Sequence, residues 1–305
     1  MKNGRTRAKG YADWRPQDKT LALVGNVRDI LEEYRAHLPL TIRQVFYRLV
    51  GVYGYPKDEN AYERLCNALN RARRAGYVRF EHLRDDGISV MQPNHYAGVE
   101  DFYGYLNQLG ATYELDKLAD QRVDIRVLCE AAGMMPQLNR VCRRYSVPVY
   151  SCSGFDSLTA KYELAKGCAQ AYDWQGRSTV ILHLGDLDPS GVSIYDSMRD
   201  DVLAFVAGDV PGVDADEVAI FDRVALTRRH VEYYDLTTYA PKPTDLRSRR
   251  WTGRTCQLEA LPPDTLARLV TSAIEVNLDP GLLARAREAE AQERRQIARA
   301  LPSAE

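Results

Sequence analysis

The spacing of apolar side chains changes character part-way along the chain. In TLALVGNVRDILEEYRAHL apolar positions recur three and four apart, predicting a helix from near Asp18 to Leu38. Pro39 interrupts it, Thr41 offers a capping hydroxyl, and IRQVFYRLVGVY predicts a second helix. After Tyr55-Pro56, NAYERLCNALNRARRAG predicts a third helix that stops at Gly76, and YVRFEHL reads as a short strand. The first 19 residues read as a loose basic arm. Three helices and a strand, with Arg71, Arg73 and Arg74 closing the third helix, suit a winged-helix or helix-turn-helix module over residues 20–118.

From about residue 123 strands and helices alternate. VDIRVLC, VPVYSCS, STVILHLG and DEVAIFDRVAL read as strands; MMPQLNRVCRRY, FDSLTAKYELAKGCAQAY and PSGVSIYDSMRDDVLAFV read as the helices between them. Continuous apolar strands separated by amphipathic helices predict an α/β unit, residues 119–280, whose mostly parallel sheet is covered on both faces. DLTTYAPKPTDLRSRRWTGRTC is polar and rich in Pro and Arg, and reads as a long surface loop open to a partner. PPDTLARLVTSAIEVNL and LLARAREAEAQERRQIARAL read as closing helices. The last, within 281–305, is charged enough to lie on the surface or against another chain.

Charge sharpens this division. The 305 residues carry 41 Lys+Arg and 42 Asp+Glu, but residues 1–80 hold 16 basic against 8 acidic, and the remainder 25 against 34. A basic front half suits nucleic acid, and basic tails or solvated faces give the same count. Likewise Arg71, Arg73 and Arg74 suit phosphate contacts, or a solvated helix end facing the negative pole of its dipole. No apolar run approaches the roughly 20 residues that span a bilayer, and the polar, basic opening lacks a signal-peptide pattern. A cytoplasmic, nucleoid-associated location is the expectation. Cys66, Cys129, Cys142, Cys152, Cys168 and Cys256 stand singly, which predicts reduced, mostly buried thiols.

Three carboxylates fall at the carboxyl ends of predicted strands, where an open parallel sheet places its chemistry. Glu130 follows VDIRVLC, and Asp186 and Asp188 follow STVILHLG in GDLDPSG. An Asp-x-Asp there, with a third acid from another strand, offers hard oxygens to Mg2+ and thereby predicts phosphoryl chemistry. Equally, Asp186 and Asp188 can shape a turn and, with Ser190, cap the following helix.

On the second helix, with Ile42 at 0° and 100° per residue, Ile42, Val45, Phe46, Leu49 and Val50 form one apolar face, whereas Arg43 falls at 100° and Tyr47 at 140°. Tyr47 thus stands off the stripe with Arg43 one turn before it, within reach of the phenol or of a phosphate beside it. A helical tyrosine half-buried with its hydroxyl at the rim fits the same pattern.

The order of a Glu in VLCEAAG, about 56 residues, then DxD in GDLDPSG resembles the Toprim domain of topoisomerases, primases and related nucleases. RQVFY resembles the catalytic motif of the topoisomerase VI A subunit and the meiotic double-strand-break transesterase, where a winged-helix domain bearing the tyrosine precedes a Toprim domain. The likeness covers residues 20 to 260. Gln44 stands where that family commonly has an acid, and the chain is compact for a full A subunit, as in reduced phage or mobile-element relatives. By resemblance, Tyr47 attacks a DNA phosphodiester to leave a 5'-phosphotyrosyl link, helped by Arg43. Glu130, Asp186 and Asp188 hold Mg2+, for which Mn2+ can substitute, and Glu130 also handles a proton. Tyr47 of one subunit would meet the Toprim site of the other in a homodimer that cuts double-stranded DNA. Lacking GxxxxGK[ST], the chain would take a separate GHKL-type ATPase subunit for strand passage.

TCQLEAL resembles a downstream segment of the group, and makes Glu259 a further acid or a surface carboxylate. Lys161 and Arg228 are candidate phosphate contacts or solvated helix residues, and His183 reads as a satisfied core histidine. Two other functions are open at this point: a Toprim nuclease in which water attacks, and a DNA-binding assembly factor without catalysis.

Overall fold

The computed structural model describes residues 11–84, 93, 95–152, 157–241, 248 and 251–301. The first helix, α1 (Asp18–Glu33), ends a turn earlier than the pattern predicts, and a 3-10 turn at Arg35–His37 leads to Pro39. A two-residue strand β1 (Leu40–Thr41) runs into α2 (Ile42–Tyr53), whose start is locked by a reciprocal capping box between Thr41 and Gln44. Gly54, at φ 63°, ends α2 in a left-handed cap. Asp58 caps α3 (Glu59–Arg74).

YVRFEHL is not a strand along its length. Val78 and Leu83 turn inward while Tyr77, Arg79 and Phe80 stay exposed, so the alternation a strand needs is missing. Phe80–His82 form a 3-10 turn, and only β2 (Leu83–Arg84) is extended, parallel to β1. Nor are residues 11–17 a loose arm: Ala12 N–H donates to the Arg74 carbonyl, and Tyr11 and Trp14 pack edge-on against Phe80 and Tyr77. Residues 1–10 lie outside the described residues. The pattern assigns no element to α4 (Val99–Ala111), which has no buried residue and packs on the carboxyl-terminal helix.

The α/β unit matches the alternation read from the sequence. Its elements are β3 (Val123–Cys129), α5 (Met135–Cys142), β4 (Val149–Ser151), α6 (Leu158–Gln175), β5 (Ser178–Leu184), α7 (Pro189–Asp209), α8 (Ala215–Val218) and β6 (Ala219–Ala225). All four strands are parallel in the order β4-β3-β5-β6. Period-two alternation splits the core between the two faces. Ile125, Val127, Val180 and Leu182 join the apolar cluster that extends through the N-terminal helices, and Leu128 and Ile181 join one built with α6 and α7. After α9 (Arg228–Tyr233), α10 (Pro263–Glu275) packs against α5, and α11 (Pro280–Ala300) runs along the surface beside α4. Glu290 on α11 is nevertheless buried, held by Lys117.

The polar run after α9 is not wholly a surface loop. Tyr239 bridges to Thr255 and Leu187 to Cys256, and Cys256 and Leu258 are buried. Residues 242–247, 249 and 250 lie outside the described residues, as do 153–156 of SCSGFDS. All six cysteines are free, five of them buried. Among the described residues no helix is long and apolar enough to cross a membrane.

Candidate functional site

Parallel pairing of β3 with β5, in register from Val123↔Ser178 to Cys129↔Leu184, brings the two carboxyl ends level. Glu130 and Asp186 therefore emerge side by side. Glu130 N–H donates to the Leu184 carbonyl, and Asp186 N–H donates to Glu130 Oε2 at 3.0 Å. Two glycines admit the Glu130 carboxylate: a Cβ at Gly185 would lie 2.5 Å from Glu130 Cδ, and one at Gly191 3.0 Å from Oε2. The other oxygen, Glu130 Oε1, is buried without a well-formed hydrogen bond among the described residues.

Asp186 accepts the Leu258 N–H at 2.8 Å. Burial pushes its carboxyl up to about 7; the Leu258 bond opposes this, and Asp188, Glu130 and Glu259 add to it. Asp188 accepts the Gly191 N–H at 2.7 Å and so caps α7, as the turn reading anticipates. Among the described residues each acid is anchored by a backbone N–H to one oxygen.

His183, fully buried on β5, is not a satisfied core histidine. Among the described residues neither ring nitrogen has a well-formed hydrogen bond, and the nearest acceptor to Nε2 is Glu130 Oε1 at 3.4 Å. Burial lowers its pKa, with Glu130 opposing, so a neutral ring faces the acid.

The donors suit Mg2+ in kind: hard oxygens, one orphaned, around a buried carboxyl that its neighbours already repel. Among the described residues, however, no three His, Cys, Asp or Glu side chains are gathered into a metal-binding set.

Residues of α2 line the same cleft as Asp188. Tyr47 is only 3% exposed, in contrast to the rim position of a half-buried helical tyrosine. Its cover comes from distant chain: Tyr47 Oη donates to Gln257 Oε1 at 2.7 Å, and its ring packs against Tyr239, centroids 6.2 Å apart. Burial first and Tyr239 second push the phenol well above its ordinary pKa, while Arg43 pulls it down. Arg43 Nη1 donates to the same Gln257 oxygen at 2.7 Å, its Nε lies 3.5 Å from Glu259 Oε2, and its guanidinium stacks over Tyr62. Glu259 is no surface carboxylate: it accepts Thr41 Oγ1 at 2.7 Å, and burial raises its pKa against the pull of Thr41 and Arg43.

Tyr47 and Arg43 share a cleft of about 690 Å³ with Tyr62, Asp188, Tyr239 and Gln257, and Lys57 is also at its wall. The tyrosine and one acid of the DxD thus line one cleft within a single chain.

The basic candidates divide. Lys161 does not offer its charge to an outside phosphate. It is buried, and its amine is bound to Asp201 at 2.6 Å and Ser197 at 3.0 Å because α6 and α7 face each other there. Arg228 is exposed, donates to the Thr252 carbonyl at 2.6 Å and stacks over Trp251. Arg71 is exposed, Arg73 stacks over Phe80, and Arg74 bonds Asn70 at 2.9 Å.

Gln257, Lys57, Tyr62 and Tyr239 escaped the sequence reading. A signal for Gln257 existed: in TCQLEAL, buried Cys256, Leu258 and Ala260 alternate with Gln257 and Glu259, which places the two polar residues on one side. The chain matches no protein-family model, no curated protein and no solved structure.

Proposed function

We propose that the chain is a DNA-cleaving tyrosine transesterase of the topoisomerase VI A-subunit type. A winged-helix-like front half presents Tyr47, and a Toprim-like α/β half presents Glu130, Asp186 and Asp188. The observation that carries this reading is the shared cleft, which Tyr47, Arg43 and Asp188 all line, with Asp188 and Glu130 both acting on the Asp186 carboxyl. Magnesium, or manganese in its place, would be held by these three acids and would supply positive charge to the phosphate under attack.

Tyr47 Oη forms a bond to phosphorus as the bond to the 3' oxygen breaks. The phenol gives up its proton, the departing oxygen gains one and becomes a 3'-hydroxyl, and the 5' end stays on Tyr47. Arg43 stabilises the phenolate, since a free phenol titrates near pH 10 and is a weak nucleophile at neutral pH. One phosphodiester replaces another, so reversal reseals the strand. Two copies would cut both strands of a duplex, and strand passage would draw on a separate GHKL-type ATPase subunit.

Burial of Tyr47 favours a second reading, a metal-dependent nuclease in which water attacks and the tyrosine only lines the cleft. Covalent trapping separates the two. Labelled duplex is incubated with the protein and Mg2+ or Mn2+, denatured, and resolved for a protein-DNA adduct. The transesterase predicts an adduct that Tyr47→Phe and Glu130→Ala both abolish. Cleavage that survives Tyr47→Phe and disappears in Glu130→Ala establishes the nuclease, and salt-sensitive DNA binding without cleavage rules out both.

A further inference from the structure

One amide oxygen joins the two halves of the cleft. Gln257 Oε1 accepts from Tyr47 Oη and from Arg43 Nη1, each at 2.7 Å. An amide oxygen has two lone pairs and can satisfy both donors at once. The backbone on either side of Gln257 is fixed. Cys256 exchanges two hydrogen bonds with Leu187, at 2.8 and 3.0 Å, and Leu258 N–H binds Asp186. Two residues on, Glu259 takes the Thr41 hydroxyl at the cap of α2. A four-residue run therefore touches the DxD segment through its backbone and the Tyr47 helix through its side chains.

We propose that Gln257 is a positioning residue: its side-chain oxygen sets the Tyr47 phenol beside the Arg43 guanidinium and, through the Leu258 N–H on Asp186, keeps both in register with the acids of the same chain. The catalytic consequence rests on the transesterase reading; the geometric one rests on the contacts alone. Because a neutral amide does not take up a proton at working pH, Gln257 holds the phenol without deprotonating it. A carboxylate at 257 would hold it and also accept its proton.

The test uses the full chain with Gln257→Leu and Gln257→Glu. Without DNA, nitration of Tyr47 by tetranitromethane, read by peptide mass, should be about tenfold faster in Gln257→Leu than in the wild type, since one buried hydrogen bond is lost. Gln257→Glu should keep the protection. With DNA, Gln257→Leu should slow adduct formation about 100-fold, the scale of a small misplacement of reacting groups, at unchanged DNA affinity. Gln257→Glu should restore the rate and move its pH profile to lower pH. Equal nitration of Tyr47 in all three proteins overturns the proposal, as do Leu and Glu variants that are equally slow at every pH. A wild type that forms no adduct overturns the transesterase reading, and nitration then decides alone whether Gln257 holds Tyr47.

Discussion

Two buried carboxylates in this molecule are treated in opposite ways. Glu290 on α11 receives the Lys117 amine, the Leu115 N–H at 3.0 Å and Arg294 at 3.0 Å. Burial alone would raise its pKa, but Lys117 and the Leu115 N–H outweigh burial and hold it below 4.5. Asp186 has one backbone N–H and three acids around it, and stands at about 7. A paired buried charge fastens an element in place. An acid buried among other acids spends stability that a bound cation would return.

Removing the partner from the paired site should be the most destabilising change. Lys117→Ala leaves Glu290 with the Leu115 N–H and Arg294 but without its buried ammonium partner, and should cost about 3 kcal/mol in urea denaturation at pH 7. Because the Glu290 pKa is depressed, its contribution is present above about pH 4.5 and fades as pH falls below it. The wild-type advantage should shrink in acid. An Ala variant as stable as wild type at pH 7 would remove the contrast between the two sites.

The unpaired site should respond with the opposite sign. A folded-state pKa raised from 3.8 to about 7 means that the native state binds more protons in that window, so stability falls as pH rises through it and stays low above it. Asp186→Asn keeps an oxygen for the Leu258 N–H and sheds the charge. In EDTA at pH 8 it should be more stable than wild type by up to about 4 kcal/mol, the upper limit set by the shift. Below pH 4 the difference should vanish. Added Mg2+ should raise the Tm of the wild type and leave the variant unmoved. An Asn variant less stable than wild type at pH 8 in EDTA would show that Asp186 is held by more than its neighbours here.

How far each site was legible follows from where its partners lie in the chain. The strand ends carrying Glu130 and Asp186 were readable because an apolar run followed by an acid is a local pattern, and parallel pairing then levels the two ends. Thr41 as the cap of α2 was local in the same way. Tyr47 was misjudged because helical spacing describes only its own helix: Tyr239 and Gln257 cover it from about 200 residues away. Glu290 looked like one more charge on a polar helix, since nothing near it in sequence announces Lys117. Long-range polar partners have no period, so an amphipathic pattern cannot reveal them.

Tyr47→Phe gives the smallest stability change and the sharpest division of labour. The phenol donates to an oxygen that Arg43 also occupies, so Gln257 Oε1 keeps a donor when the hydroxyl goes. The ring and its packing against Tyr239 and Phe46 remain. Loss should therefore be about 1 kcal/mol, the net worth of one such bond, measured by urea denaturation beside the two variants above. A hydroxyl that served only to fill the cleft would matter no more to DNA than to folding. If Tyr47 is the nucleophile, the same variant abolishes the covalent adduct while its stability barely moves, which separates this group from Glu290, whose whole effect lies in stability. A Phe variant that loses 3 kcal/mol or more would instead place Tyr47 with Glu290, among the groups that hold the fold.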